Sequence, residues 1–363
     1  MTLQFAPSAQ TAQFAWVTHQ VPVTKWLKSE VASRAPHLLF AFSRPGLTTF
    51  KITGAADPDL VVPSSFARAW GLSVGRATNV ADVLALTAPL ARNAGASLRL
   101  HVFERDIDVP VDDQDPTVRG TRARAIEADL RAIAPSEGIL FAVEAKANVG
   151  DRVIDVIVPH ASEPNEAWLV GTHRHSAMHG PWPGGVQHVA LPDEAPSRAW
   201  CKIEEALRWA DLTPAPGQDA VEIGSSPGGA TYALLCRGLN VYGVDPGEMH
   251  ARCINFRGPH HNRFVHLHMP AAEVPKSQLP PKYQWLLSDV NLAPMVAMRY
   301  IERFVALAHG GLKGAVLTLK LNDDGVFAAL PRILARIDKL GPKTVRVTQL
   351  PSHRSEVVAI LTF

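Results

Sequence analysis

One stretch, residues 221–232, constrains the fold more than any other part of this 363-residue chain. An apolar strand pattern runs into the turn Gly-Ser-Ser-Pro-Gly-Gly, and a helical pattern begins at once and stops at Arg237-Gly238, where glycine suits a helix C-cap. A second strand pattern, residues 241–245, then ends in an acid. Strand, glycine turn, helix, strand and acid make up one half of a doubly wound nucleotide-binding sheet, so we expect an α/β fold.

The glycine turn is suited to an anionic or zwitterionic ligand, because glycine lets backbone approach closely and a helix N-terminus carries partial positive charge. The turn lacks both G-x-G-x-x-G and Gly-Lys-Ser/Thr, which favours S-adenosylmethionine over a dinucleotide or a triphosphate. Asp245 is placed to accept hydrogen bonds from a ribose diol. A merely structural turn is the alternative. The predicted cofactor-binding residues are Gly224, Ser225, Ser226, Pro227, Gly228, Gly229, Ala230, Asp245 and Asp289.

Composition and short sequence motifs limit the class of protein to which this chain can belong. The three cysteines form no C-x-x-C pair, which favours a reduced, cytoplasmic protein and argues against zinc. The N-terminus shows no basic leader, and no stretch reaches 18 uninterrupted apolar residues, so we expect neither a signal peptide nor a membrane span. The aspartate-rich residues 106–115 lack EF-hand spacing, so they predict a solvated loop rather than a calcium site. No metal is predicted.

The chain divides by composition into four parts. Residues 1–55 predict a small α/β domain, residues 56–175 a second α/β unit, residues 176–195 a linker rich in glycine and proline, and residues 196–363 the doubly wound domain. In the second unit, residues 64–70 predict a short helix and residues 73–75 a strand. From residue 197 onwards 19 Lys and Arg face 14 Asp and Glu, a mildly basic balance that an RNA-handling domain could have.

Four charged residues are predicted to meet at one edge of the doubly wound sheet. Asp289 and Lys320 each follow an apolar strand pattern, and ligands of such sheets lie outside the carboxyl ends of the strands. Lys202 lies on a helix that leads into the first strand. Glu356 begins the last strand, which with residues 344–350 predicts an antiparallel pair at the sheet edge. A lone charge at a strand end is usually just solvated, but four beside a ligand turn favour a catalytic site.

These residues carry a resemblance to a known family. The stretch Ser-Arg-Ala-Trp-Cys-Lys-Ile-Glu-Glu from Ser197 and the glycine turn resemble the FtsJ-type ribose 2′-O-methyltransferases, whose Lys-Asp-Lys-Glu tetrad is matched by Lys202, Asp289, Lys320 and Glu356. Within that family the chain looks closest to the RlmM type, which acts on a cytidine of 23S rRNA. The similarity lies in the stretches 191–198, 317–321 and 349–357 and, in layout only, in a small α/β domain followed by a THUMP-like RNA-binding domain.

The resemblance implies an activity, a cofactor and residue roles. It implies a class I methyltransferase that transfers a methyl group from S-adenosylmethionine to an RNA ribose 2′-hydroxyl, with 23S rRNA as partner and with neither metal nor membrane. Lys320 would activate the hydroxyl, provided that its pKa is lowered from about 10.4. Asp289 would orient Lys320, and Lys202 and Glu356 would position the ribose. The turn has Ala230 where the family usually has tryptophan, and Met269-Pro270 replaces an acid that touches the adenine.

Three other functions stay open at this point. The same chemistry could act on another RNA such as tRNA, since the target depends on the divergent N-terminal half. A non-catalytic RNA-binding protein with a vestigial fold is a second alternative, against which the complete tetrad argues. A small-molecule or N-methyltransferase is a third, but its Asn/Asp-Pro-Pro-Tyr-type motif is replaced here by Asp-Val-Asn-Leu-Ala-Pro from Asp289.

Overall fold

A computed structural model describes residues 12–91, 98–105 and 120–363. The aspartate-rich segment 106–115 lies outside these residues. The chain forms two compact units, Met1–His188 and Val189–Phe363, each with its own seven-stranded sheet. The two sheets and the helices packed on them confirm the α/β fold class. Among the described residues, no helix combines the length and the apolar character needed to cross a membrane.

The first unit has three helices and seven strands in the described residues. In chain order they are β1 (Phe14–Thr18), α1 (Thr24–Arg34), β2 (Leu38–Arg44), β3 (Leu47–Ile52), β4 (Ala69–Ala77), α2 (Val80–Ala91), β5 (Leu98–Glu104), α3 (Thr121–Ile133), β6 (Arg152–Val158) and β7 (Trp168–Arg174). The strand order in the sheet is β2-β3-β1-β4-β7-β6-β5. Apolar side chains of α2, α3, β5 and β6 form its main core.

Strands from both sides of the boundary expected at residue 55 share this sheet. β1 pairs antiparallel with β3 on one side and with β4 on the other, with Ala15 opposite Leu72. The helix expected over residues 64–70 is wrong, because β4 already begins at Ala69 and Trp70 is buried in it. Pairing with β1 outweighs the weak local pattern that suggested a helix.

The second unit contains the expected doubly wound sheet. Its elements are α4 (Ala199–Trp209), β8 (Asp219–Ile223), α5 (Gly229–Cys236), β9 (Asn240–Val244), α6 (Ala251–Ile254), β10 (Phe264–Leu267), β11 (Trp285–Ser288), α7 (Pro294–Leu307), β12 (Gly314–Lys320), α8 (Asp324–Asp338), β13 (Thr344–Thr348) and β14 (Glu356–Thr362). Strands β10-β9-β8-β11-β12 are parallel neighbours, and β14 and β13 complete the edge.

The antiparallel edge pair expected from the last two strand patterns is confirmed. β14 lies between β12 and β13 and runs antiparallel to both. Its register places Glu356 directly opposite Lys320. The carboxyl end of β12 and the start of β14 therefore meet at the edge of the sheet where parallel sheets of this type bind ligands.

Candidate active site

Four charged side chains, Lys202, Asp289, Lys320 and Glu356, come together at the carboxyl edge of the second sheet; we call them the tetrad. Asp289 follows the last residue of β11, Lys320 ends β12, and Glu356 begins β14. Lys202 reaches the same point from the first turn of α4. Three strand ends and one helix thus supply a group that is dispersed over 155 positions of sequence.

Each lysine of the tetrad is bound to both carboxylates. Lys202 Nζ lies 3.0 Å from Asp289 Oδ2 and 2.5 Å from Glu356 Oε1. Lys320 Nζ lies 2.9 Å from Asp289 Oδ1 and 2.5 Å from Glu356 Oε2. Positive and negative charges therefore alternate around a closed ring, and each carboxylate uses a different oxygen for each lysine. Two of these contacts, Lys202 Nζ to Asp289 Oδ2 and Lys320 Nζ to Glu356 Oε2, are hydrogen bonds, and charge-assisted hydrogen bonds fix both distance and direction.

Burial and charge pairing shift the pKa values of Lys320, Asp289 and Glu356 in opposite directions. Burial alone would lower the pKa of Lys320, but the carboxylates of Asp289 and Glu356 outweigh it and raise that pKa above its ordinary value. Burial would raise the pKa of Asp289, yet Lys202 and Lys320 hold it below its usual range. The pKa of Glu356 is lowered as well, against its burial, by His353 and the same two lysines. The tetrad by itself therefore holds a Lys320 ammonium and two carboxylates.

The pKa of Lys320 is raised, whereas the role predicted for it from the sequence required a lowered pKa. The reason is that two carboxylates, not one, face its ammonium at hydrogen-bond distance. Opposite charges within about 4–6 Å favour the charged form of a lysine. Lys320 cannot accept a proton while this ring is intact and nothing else lies beside it.

A network beneath the tetrad fixes the loop between β13 and β14. Glu205 Oε2, on α4, accepts hydrogen bonds from Ser352 N at 2.9 Å and from Ser352 Oγ at 2.7 Å. Leu321 N donates to Ser355 O at 2.7 Å. The helix that carries Lys202 and the strand that carries Lys320 are therefore both tied to the segment that leads into Glu356.

The glycine turn lies beside the tetrad and depends on close backbone approach. Gly224 has a φ of +82°, and a Cβ there would lie 2.7 Å from Asp289 O, so β8 and β11 could not end so close together. Gly228 has a φ of +115°, and its Cβ would lie 2.5 Å from Cys253 Sγ. At Gly229 a Cβ would meet Ser197 Oγ at 2.3 Å, where α5 begins against the start of α4. These three glycines are required by packing, whatever else they do.

The other predicted cofactor residues divide into buried and accessible groups. Ser225 and Ala230 are buried, and Ser225 Oγ donates to Met249 Sδ at 3.5 Å, so this hydroxyl points into the protein. Pro227 is exposed at the turn. Ser226 Oγ donates to Glu248 O at 2.7 Å. Ser225 therefore supports the turn from below through its side chain, rather than offering its hydroxyl to a ligand.

Asp245 is held in one orientation at the end of β9. Its Oδ2 accepts from Ser226 N at 3.1 Å and its Oδ1 accepts from Gly247 N at 2.7 Å. Each carboxylate oxygen keeps a further lone pair, which is the acceptor chemistry that a ribose diol needs. Gly224, the first amides of α5 and the fixed Asp245 carboxylate thus fit an adenosine-type cofactor with a zwitterionic tail.

Sequence reasoning missed two groups close to this site. Glu222 lies in β8, is buried, and accepts from Thr231 Oγ at 2.5 Å. Burial raises the pKa of Glu222 to about 8, with smaller contributions from Asp289 and Asp245. His353 is fully buried in the loop before Glu356, and burial lowers its pKa to about 4. An acid between Val221 and Ile223 in an apolar strand was the available signal for Glu222.

The second unit is similar to a known protein family. Residues 195–308 match the model of the FtsJ-like methyltransferase family, so the unit carries an FtsJ-like methyltransferase domain. The matched segment includes Lys202 and Asp289 and ends before Lys320 and Glu356.

Curated relatives of this chain share one name. The chain is 33% identical over 192 residues to a "Ribosomal RNA large subunit methyltransferase M" of Laribacter hongkongensis, covering 50% of this chain and 52% of that protein. It is 33% identical over 193 residues, with the same coverage, to the protein of that name from Ectopseudomonas mendocina. The chain spans about half the length of the curated relatives it matches.

Among solved structures, TrmN from Thermus thermophilus is similar over 97% of this chain and 100% of its own, with 14% identity and a TM-score of 0.33. With so low a TM-score, we draw no conclusion about fold or function from this similarity.

Proposed function

We propose that this protein transfers a methyl group from S-adenosylmethionine to a ribose 2′-hydroxyl of RNA, and that the substrate is a cytidine of 23S rRNA. The observation that carries the proposal is the closed ring of two lysines and two carboxylates beside the glycine turn. The FtsJ-like match supports methyl transfer, and the names of the relatives support large-subunit rRNA as the acceptor.

The cofactor would be held by backbone and one acid. We propose that Gly224, Gly228 and the first amides of α5 approach its amino-acid portion, and that Asp245 accepts from its ribose. Bound there, S-adenosylmethionine supplies an electrophilic methyl group and a positive sulfonium charge. The glycine turn and Asp289 are adjacent, since a Cβ on Gly224 would touch Asp289 O. The turn that would hold the cofactor therefore lies beside the tetrad.

The residues of the tetrad have separable roles in this proposal. A ribose hydroxyl is a poor nucleophile at neutral pH, and Lys320 Nζ is the group proposed to take its proton. An additional positive charge and the exclusion of water both lower the pKa of a nearby ammonium, so binding of cofactor and RNA would reverse the raised pKa of Lys320. Lys320 Nζ would accept the hydroxyl proton as the ribose oxygen is methylated. A bound S-adenosylmethionine would supply the methyl group, and its sulfur would be the leaving group.

The other three tetrad residues position the reaction. Asp289 lies 2.9 Å from Lys320 Nζ as an ion pair and so helps to hold that nitrogen in place. Glu356 and Lys202 complete the ring and hold the ribose edge. Much of the rate enhancement would come from holding the hydroxyl in line with the methyl group. No step in this sequence requires a metal ion.

We further propose that the first unit binds RNA and that residues 56–175 within it are THUMP-like. The support is the layout that the sequence shares with RlmM-type proteins, with an α/β region preceding the methyltransferase domain. The expected domains 1–55 and 56–175 would then act as one recognition unit, since their strands share a sheet.

The test is transfer of radiolabelled methyl from S-adenosylmethionine to unmodified 23S rRNA, 16S rRNA and bulk tRNA. We expect label on 23S rRNA that survives alkali in a resistant dinucleotide, which identifies ribose methylation. Lys320→Ala should abolish transfer, whereas the matched control Lys282→Ala, an exposed lysine of the same unit, should not. Label confined to tRNA would contradict the substrate. Cofactor binding with no label on any RNA would contradict the activity.

A further inference from the structure

A buried group of histidines lies in the first unit, whereas the tetrad lies in the second. His173, on β7, and His175 and His179, just beyond it, are each less than a tenth exposed. One ring nitrogen from each of the three lies within 4.8 Å of those from the other two. We call these three residues the histidine cluster. The proposed methyl transfer does not use it.

Two ring nitrogens of the histidine cluster have no hydrogen-bond partner among the residues that the structure describes. His173 Nε2 and His175 Nδ1 are buried without a hydrogen bond in the described structure. A buried polar atom left unpaired destabilises the fold, so such atoms call for an explanation. An unprotonated imidazole nitrogen in such a place is also a metal ligand.

The other nitrogen of His173 is already oriented as it is in metal sites. His173 Nδ1 donates to Asp155 Oδ2 at 2.7 Å, which leaves the lone pair on Nε2. Histidine ligands of metals usually donate their second N–H to a carboxylate in this manner. His101 approaches the other oxygen of Asp155 through Nδ1, at 3.8 Å, while its Nε2 donates to Ala145 O at 2.7 Å.

The charge balance around Asp155 also points to a cation. The side chain of Asp155 is fully buried on β6. In the described part of the chain, its ionic partners are the histidines His101 and His173. A buried carboxylate needs a compensating positive charge. A divalent cation bound to the histidine cluster would supply that charge through His173.

Hydrogen bonds fix the backbone around His175, but the ring of His179 must rotate before the three histidines can bind one ion. His175 N donates to Asp151 O and Gly150 N donates to His175 O, both at 2.8 Å. The ring of His179 stacks on His173 at 4.5 Å between centroids and bonds through Nδ1 to Ser176 Oγ at 2.9 Å and through Nε2 to Trp70 O at 3.2 Å. Tetrahedral zinc ligands lie about 3.3 Å apart, so His179 must exchange one of these bonds and rotate to close the site.

We infer that the histidine cluster is a binding site for a divalent transition-metal ion, Zn²⁺ in the first instance, with Asp155 as the carboxylate that orients His173. Three imidazoles without thiolate suit Zn²⁺ in tetrahedral geometry, with water as the fourth ligand. The ion would tie the segment from His175 to His179 to the end of β7. Its role is structural, and it takes no part in methyl transfer.

The experiment is metal binding by the full-length chain without an affinity tag. After treatment with a chelator, Zn²⁺ is titrated by calorimetry, and bound metal is counted by mass spectrometry. We expect one Zn²⁺ per chain. His175→Ala should weaken Zn²⁺ binding at least about a hundredfold, because it removes one of three protein ligands. The control His37→Ala, which removes an exposed histidine of the same unit, should bind as the wild type does.

A second measurement guards against a variant that misfolds. Co²⁺ bound to the wild-type chain should give the intense visible bands of a four-coordinate ion, and added Zn²⁺ should abolish them. Weak bands typical of six-coordinate Co²⁺, or Zn²⁺ binding that His175→Ala leaves unchanged, would overturn the inference. Absence of stoichiometric Zn²⁺ binding to the wild type would overturn it as well.

Discussion

At the scale of single residues, Lys320 is subject to two opposing demands. The ring of carboxylates that fixes its position also raises its pKa, yet the proposed reaction needs its neutral form. Because Lys320 is fixed in position before the reaction, the barrier to methyl transfer is lower. The binding of cofactor and RNA must then lower the pKa of Lys320 so that it can lose its proton. The consequence is a defined dependence of the reaction rate on pH.

We expect the single-turnover rate of methyl transfer to rise with pH from about 6 to 9, with log k approaching a slope of one, because the neutral amine is the minor form over that range. The measurement is quenched-flow transfer from labelled cofactor to saturating RNA, so that product release does not limit the rate. A rate independent of pH would show that Lys320 acts as a charged hydrogen-bond donor.

Glu222 gives a second prediction, about stability. Its folded pKa of about 8 exceeds the ordinary 4.5, so the neutral carboxyl stabilises the fold fully below about pH 4.5, and this contribution is lost as pH rises through about 8. The loss is about 1.4 kcal/mol per pH unit in between. Glu222→Gln keeps an acceptor for Thr231 and cannot ionise.

We therefore expect the free energy of unfolding of Glu222→Gln, relative to wild type, to increase between pH 5 and pH 8 by roughly this slope. Urea denaturation of both proteins at each pH measures the difference, in which the titration of all other groups cancels. A difference that does not change with pH would contradict the raised pKa of Glu222.

At the scale of elements, the loop between β13 and β14 connects the helix of Lys202 to the strand of Glu356. Glu205 on α4 binds Ser352 in that loop through two hydrogen bonds. We expect Glu205→Ala to lower kcat by about a hundredfold, because displacement of reacting groups by an ångström has that effect. The KM for cofactor should change little, since the glycine turn lies on other elements.

Glu204→Ala is the matched control, because Glu204 is also buried on α4 but binds Arg237 at 2.7 Å instead of the loop. Each substitution removes partners of a buried group and should cost about 1–3 kcal/mol of stability. If both variants lose activity equally, general destabilisation explains the effect and Glu205 has no positioning role.

Elements that depend on local pattern could be predicted from the sequence. The ends of β8, β9, β11 and β12 follow from apolar runs that stop at a glycine or a charge, and this placed Gly224, Asp245, Asp289 and Lys320 at one edge. The start of β4 could not be found in this way, since it is set by pairing with β1 about 50 residues earlier. The pKa of Lys320 and the burial of Glu222 depend on distances that only the tertiary structure sets.

The histidine cluster illustrates the same limit. Its spacing, His-x-His-x-x-x-His from His173, is visible in the sequence, but residues 176–195 have the composition of a linker. The absence of C-x-x-C argued against zinc, and that argument does not extend to imidazole ligands. The carboxylate that orients His173 comes from β6, 18 residues earlier, and only strand pairing brings it there.

At the scale of the whole molecule, the chain forms two units with separate sheets and separate cores. The proposed assignment of RNA binding to the first unit and cofactor binding to the second can therefore be tested. The first unit carries 17 Lys and Arg against 18 Asp and Glu, so its net charge gives no electrostatic reason for RNA affinity. Any RNA binding by this unit must depend on the local arrangement of basic and aromatic side chains. The second unit holds every residue that we assign to the cofactor and to the tetrad.

We expect residues 189–363, produced alone, to bind S-adenosylmethionine within about threefold of the full chain, because the turn, Asp245 and the tetrad all lie there and the unit has its own core. The Kd for a 23S rRNA fragment should weaken at least tenfold, about 1.4 kcal/mol, if the first unit supplies recognition. Calorimetry measures the first affinity and fluorescence anisotropy at fixed salt the second. Unchanged RNA affinity with intact cofactor binding would assign recognition to the second unit alone, whereas loss of cofactor binding would show that this unit needs the first one in order to fold.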